Sequence, residues 1–168
     1  MYDNRNYCKL NMNEIRAYVC SPLGAKGDNA KALIEINRQA AIKYCQITEK
    51  VFGVTAKAPH TYIPLVLDDT KPDERELALE FGIKLLKLCD CIIVCGDRIS
   101  NGMKNEIITA YEYGLPIFCF SESVKREISK MGYSSFFLAD DEARELGLPS
   151  QVVGINLRIG YTGKSSIA

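Results

Sequence analysis

The chain reads as an α/β protein, a three-layer sandwich around a mainly parallel, Rossmann-like sheet of four to five strands. Three observations predict this class. Short apolar runs alternate in order with longer segments of three- and four-residue periodicity. One run, Cys91-Ile92-Ile93-Val94-Cys95, is apolar throughout, as expected of a strand covered on both faces. Two loops of small and hydroxyl-bearing residues lead from strands straight into helix starts.

The elements follow in order. Residues 1–13 are polar and read as a loose arm. Ile15 to Cys20 is a β-rich run that ends in the small-residue loop Ser21 to Asp28. Asp28 is the expected N-cap of a helix from Asn29 to about Phe52. Leu33, Ile36, Ala40, Tyr44, Ile47 and Val51 give that helix its period, and Gly53 stops it. Thr55 to Leu67 reads as extended, with Pro59 and Pro64 keeping it from being a central strand throughout. Thr70-Lys71-Pro72-Asp73-Glu74 combines a cap, an early proline and acids, so a helix starts there. It runs to about Leu88 with Leu77, Phe81, Leu85 and Leu88 as its apolar stripe. The CIIVC strand is followed by a loop from Gly96 to Gly102, and a helix from about Met103 to Tyr113 is closed by Gly114. Pro116 to Phe120 is the next strand. Ser123 to Met131 and Asp140 to Leu146 fit short helices. Gln151 to Ile159 fits an edge strand, and Tyr161 to Ala168 reads as mobile.

A chain of 168 residues suits one domain, since roughly 100–200 residues is usual. The expected organisation is a single domain over 1–168. Its core covers about 15–120, with the arm 1–13 before it and a C-terminal extension 121–168 after it. The hydrophobic share of 47% rules against disorder. Lys+Arg and Asp+Glu both number 21, so the net charge is zero. That balance counts against a nucleic-acid polymer as partner, which needs a surplus of cations to displace counterions. No apolar leader opens the sequence and no run approaches ~18 apolar residues, so a cytoplasmic protein with no membrane partner is expected. The seven cysteines are then read as small buried thiols. Cys89, Cys91 and Cys95 share a strand face but lack CxxC spacing, so no metal is expected.

Ligands of open parallel sheets bind beyond the carboxyl ends of the strands. Loops 21–28 and 96–102 leave such ends and open onto helix N-termini, which favour anions. The same residue types also serve as ordinary helix caps. In Ser100-Asn101-Gly102-Met103-Lys104-Asn105-Glu106, Gly102, Glu106 and Ala110 share one helical stripe. Small neighbours leave room around the Glu106 carboxylate. A first-turn position would keep it ionised, as a nucleophile requires, although a first-turn Glu is also a common solvated feature.

The stretch from Asp90 to Ile117, with Tyr18-Val-Cys-Ser-Pro-Leu before it, resembles the nucleoside 2-deoxyribosyltransferase superfamily. Ala58-Pro59-His60-Thr-Tyr, Leu67-Asp68-Asp69 and Glu74-Arg75-Glu76-Leu77 resemble a phage and bacterial branch of unknown function. The resemblance covers roughly residues 15–120. It implies that Glu106 is the carboxylate that attacks the anomeric carbon and carries a glycosyl-enzyme intermediate. Ser100 matches a serine that contacts a 5′-phosphate in nucleotide N-glycosidases, where nucleoside transferases carry an acid. Ser21, Pro22, Leu23 and Gly24 match the nucleotide-cradling turn; Asp28, Asp97, Asn101, Gly102 and Met103 complete the expected ligand-binding set.

The family's active members also carry an Asp in the preceding helix that helps protonate the leaving base. Here that position falls at or near Gly82, while Glu76 and Glu80 are close in sequence but out of register. A general acid of this kind contributes about 10²–10⁴-fold. Asp68, Asp69 or the sole histidine, His60, are the candidate substitutes, though His60 is as readily a structural loop residue.

Three functions are therefore weighed. The first is a nucleotide N-glycosidase or 2-deoxyribosyltransferase-like enzyme. The second is a non-catalytic protein that sequesters an ADP-ribose-like or cyclic nucleotide signal, as phage anti-defence. The third is a structural protein with a vestigial pocket. A small nucleotide is the expected ligand and no cofactor is implied. A homo-oligomer, dimer or higher, is expected. Tyr111 to Tyr113 and Tyr133 to Leu138 are its candidate interfaces, or else core.

Overall fold

The computed structural model of the protein describes residues 14–154. The expected N-terminal arm and the tail from residue 155 lie outside the described residues.

The chain builds β1 (Arg16–Cys20), α1 (Ala30–Phe52), β2 (Thr55–Lys57), α2 (Pro72–Leu86) and β3 (Cys91–Val94). It continues with α3 (Asn101–Glu112), β4 (Ile117–Cys119), α4 (Glu122–Lys130) and β5 (Phe136–Phe137). The five strands form one sheet in the order β2-β1-β3-β4-β5, and every pair is parallel. The order reverses between β1 and β3. Their carboxyl ends therefore flank the crevice where open α/β sheets hold ligands.

Both faces of the sheet are covered, as the apolar runs require. Alternate residues of β1 and β3 point to opposite sides. Ala17, Val19 and Ile93 pack with Ala40, Ala41 and Tyr44 of α1. Tyr18, Cys20, Ile92 and Val94 pack with Leu86 of α2, Met103 and Ile107 of α3, and Val124 and Ile128 of α4. Gly53 ends α1 as expected, at a left-handed φ of 66° with its N–H on the Glu49 carbonyl.

Several expectations are corrected. The extended reading of 55–67 holds only for Thr55–Lys57. Two 3-10 turns follow, Pro59–Thr61 and Ile63–Leu65, each with a proline in its first two positions. The cap of α2 is Lys71, because the Thr70 hydroxyl is engaged with Asp68 Oδ1 at 2.6 Å. Asp28 is exposed and α1 is preceded by Asn29 with no side-chain cap bond. The expected apolar stripe of α2 is largely outside: Leu77, Phe81 and Leu88 are exposed. The inward residues are Ala78, Gly82 and Leu86, whose two small members let the helix lie close to β1. Residues 150–154 are helical, not the start of an edge strand. The fifth strand is Phe136–Phe137, too short for periodicity to show.

The segment Arg144–Gly147 forms a 3-10 turn across the sheet's carboxyl edge. Leu146 accepts the Gly96 N–H at 2.7 Å, and Leu148 accepts the Tyr44 hydroxyl at 2.6 Å. A Cβ on Gly147 would lie 2.3 Å from the Phe120 carbonyl oxygen. Gly147→Ala is thus expected to cost about 2 kcal/mol, the middle of the range for overpacking. Urea unfolding would check this, and an unchanged midpoint would contradict it. The described cysteines are free thiols, of which Cys20, Cys89, Cys95 and Cys119 are buried. Among the described residues no helix is long and apolar enough to cross a membrane.

Candidate functional site

Glu106 lies in the second turn of α3, deeper than the first-turn position the sequence suggests. It is only 6% exposed. Tyr18, fully buried on β1, donates its hydroxyl to Glu106 Oε1 at 2.7 Å. The Cys20 thiol, two residues along the same strand face, lies beside the carboxylate and favours its charged form. Glu106 Oε2 is buried without a partner. Burial pushes the Glu106 carboxyl above the usual carboxylate range, while Cys20 and Tyr18 pull the other way. The helix start does not hold the group below the ordinary carboxylate range, because desolvation outweighs the bonds that favour the anion. Tyr18 and Cys20 are themselves raised well above their ordinary values, first by burial and then by Glu106.

Glu106 is also one of the residues lining a cleft of about 450 Å³ between α2 and α3. Glu76, Leu79, Glu80 and Ile83 come from α2, and Gly102 and Asn105 join Glu106 from α3. Sequence reasoning missed Asn105 as a lining residue and set Glu76 and Glu80 aside as out of register. The signal was present: residues 76, 79, 80 and 83 form one helical face. Glu80 also pairs with Lys84 at 2.8 Å.

Gly82 lies against Glu106. A Cβ there would be 3.7 Å from Glu106 Oε1, 3.2 Å from the Tyr18 hydroxyl and 3.6 Å from Pro59 Cγ. The helix position where the resemblance places an acid thus faces the carboxylate, and here it carries no side chain.

The remaining expected residues are placed as follows. Ser21, Pro22 and Leu23 are buried, and Asn37 Nδ2 holds the Leu23 carbonyl at 2.8 Å. Ser21 Oγ and Asn37 Oδ1 are buried without partners. Gly24 is exposed at its turn, beneath the Arg75 guanidinium, which pairs with Asp69 at 2.6 Å. Ser100 caps α3 by accepting the Met103 N–H at 3.4 Å, and Met103 itself is buried. Asn101 and Asp97 are exposed, and the Asp97 carbonyl accepts the Ser123 hydroxyl at 2.7 Å. Asp68 is tied to Thr70 and lowered by those bonds, while burial raises Asp69 against the pull of Arg75. Neither Asp68 nor Asp69 lines the Glu106 cleft. His60 has a buried, unpartnered Nδ1, and burial lowers its pKa to about 4. Glu106 and Gly102 are therefore the expected residues that meet in the cleft.

The parallel sheet order and its two helical layers define the class, a Rossmann-like α/β fold of the 2-deoxyribosyltransferase kind. A solved structure of a 2-deoxyribosyltransferase from the psychrotolerant bacterium Bacillus psychrosaccharolyticus matches with a TM-score of 0.52. The match is 17% identical and covers 80% of this chain and 97% of that one. More narrowly, the chain belongs to the family described as Domain of unknown function (DUF7768), whose model matches residues 15–120. No curated protein matches it.

Proposed function

We propose that the protein cleaves or transfers the N-glycosidic bond of a small nucleotide, with Glu106 as nucleophile. The observation that carries this reading is the buried Glu106 carboxylate, with Oε1 held by Tyr18 and Oε2 left without a partner, on a residue that borders a cleft. Such a carboxylate is oriented for attack at one oxygen and excluded from bulk water. In the step, Oε2 forms a bond to the anomeric carbon as the carbon–nitrogen bond breaks. The base leaves with the electron pair and takes up a proton from water. Water then releases the sugar phosphate, or a second base takes the sugar. Its test is release of free base from a panel of nucleoside monophosphates, read by chromatography against Glu106→Gln. The cited 2-deoxyribosyltransferase supports the reading only through its fold.

A second reading has its own support. Gly82 offers no acid beside the carboxylate, which fits a protein that binds and sequesters a nucleotide intact. Tight calorimetric binding with full recovery of the ligand would favour it.

A homo-oligomer belongs to the same proposal. Leu65, Val66, Leu77, Phe81 and Leu88 are 45–77% exposed on α2 and the segments flanking it, apolar side chains that a second copy of the chain would cover. Tyr111, Tyr113 and Phe136 are exposed as well. Light scattering should give a multiple of 18.7 kDa. Leu77→Glu with Leu88→Glu should lower the mass, and a monomeric wild type at micromolar concentration would reject the assembly.

A further inference from the structure

We propose that Arg75 holds the anionic end of the ligand, and that Asp69 is a resting partner which that anion displaces. The inference rests on the nucleotide reading of the Glu106 site and adds the direction in which the ligand lies.

The cleft cannot favour a phosphate. Its lining carries three carboxylates, from Glu76, Glu80 and Glu106, and no Lys or Arg. A phosphate there would meet like charge in a partly dry setting. The base end of a ligand suits it better, with Asn105 as a hydrogen-bonding group. The phosphate must then extend away from the cleft.

Arg75 is placed to receive it. It lies in helical register with the inward residues Ala78 and Gly82, at steps of three and four, with its own side chain part-exposed. Gly82 touches Glu106, and Arg75 is seven residues earlier, about 10 Å along the axis. That span matches the length of a sugar with its phosphate, and the intervening residue, Ala78, is small. At its far end the guanidinium lies over the bare backbone of Gly24. A Cβ there would be 2.6 Å from Nη1 and 3.3 Å from Nη2. In the same turn Ser21 Oγ is buried with no partner.

The pairing of Arg75 leaves capacity unused. Of its five N–H donors only Nη1 has a partner among the described residues, Asp69 Oδ2 at 2.6 Å. The Arg75 side chain is 42% exposed, so its remaining donors are open to an incoming group. The Asp69 side chain is 9% exposed, and burial raises its carboxyl more than Arg75 lowers it. The open donors can take a doubly charged phosphate bidentately, and its like charge then repels the Asp69 carboxylate from the guanidinium.

The test measures affinity by calorimetry in the Glu106→Gln chain, which binds without turnover. Adenosine and cytidine monophosphates are compared with adenosine and cytidine. The expected result is binding of at least one monophosphate about tenfold or more tighter than its nucleoside. Arg75→Gln should abolish that gap, Arg75→Lys should keep part of it, and Asp69→Asn should widen it threefold or more. Thermal melts confirm that each variant is folded. A merely structural pair predicts the opposite for Asp69→Asn, a gap narrowed or unchanged. That result overturns the proposal, as does a gap surviving in Arg75→Gln or none in the parent chain. Base release in the Glu106 assay is scored separately. A phosphate gap without any base release rejects the catalytic reading and upholds Arg75; base release without the gap does the reverse.

Discussion

Glu106→Gln is expected to abolish release of free base, by about 10³-fold or more, while the chain still folds and binds ligand. The amide has the shape of the carboxylate and still accepts the Tyr18 hydroxyl, so the 2.7 Å contact survives. What is lost is the oxygen that forms the bond to the anomeric carbon, and removal of a nucleophile costs orders of magnitude in rate. The same variant carries a stability signature. The folded-state pKa of Glu106 is raised from 4.5 by burial. The folded chain therefore keeps a proton that the unfolded chain has released, and this contribution to stability declines as pH rises above 4.5. Gln does not titrate. The variant should melt above the wild type at pH 8, and the advantage should shrink toward pH 4.5. Base release within tenfold of wild type would remove Glu106 from the mechanism. A lower melting temperature at pH 8 would contradict its desolvation.

The sheet and its helices were legible because the signals are local. The CIIVC run, the α1 period and the glycines at helix ends each follow from a few neighbouring residues. The α2 face was not legible. Leu77, Phe81 and Leu88 give a better apolar stripe than Ala78, Gly82 and Leu86, and periodicity selects the larger residues. Helix α2 inverts that rule because close approach to Tyr18 and Glu106 needs small side chains, and that need arises only in three dimensions. The carboxylate itself was legible from its spacing to Gly102 and Ala110. Its state was not, since burial beneath α2 depends on the packing of Gly82, twenty-four residues earlier in the chain. Tyr18 was likewise hidden as one more strand aromatic until its hydroxyl was seen to meet Glu106. The acidic cleft follows the same pattern: Glu76 and Glu80 are only out-of-register neighbours of Gly82 in the sequence until α3 is laid beside them.

His60 is expected to make the fold sensitive to mild acid, with about 3 kcal/mol at stake. Its pKa falls from 6.5 to about 4 because its ring is desolvated and Nδ1 has no partner. Between these values the unfolded chain binds a proton that the folded chain refuses, so stability is lost as pH falls from 6.5 toward 4. A shift of about 2.5 units at 1.36 kcal/mol each gives roughly 3 kcal/mol as the upper bound. Glu106 works in the opposite sense in this range, because its raised pKa favours the folded state as acid is added. Asp69, also raised, adds to that opposition. The wild-type profile alone therefore understates the histidine. The difference between wild type and His60→Asn isolates it, since Glu106 and Asp69 are common to both. Urea unfolding at pH 7.5 and pH 4.5 should show the variant losing less stability than the wild type, by about 2–3 kcal/mol. Equal losses would mean that the ring is solvated in the folded state. The His60 result also bears on the site. A histidine whose burial lowers its pKa to about 4 is mostly neutral near pH 7, so His60 is a poor source of the acid that Gly82 lacks.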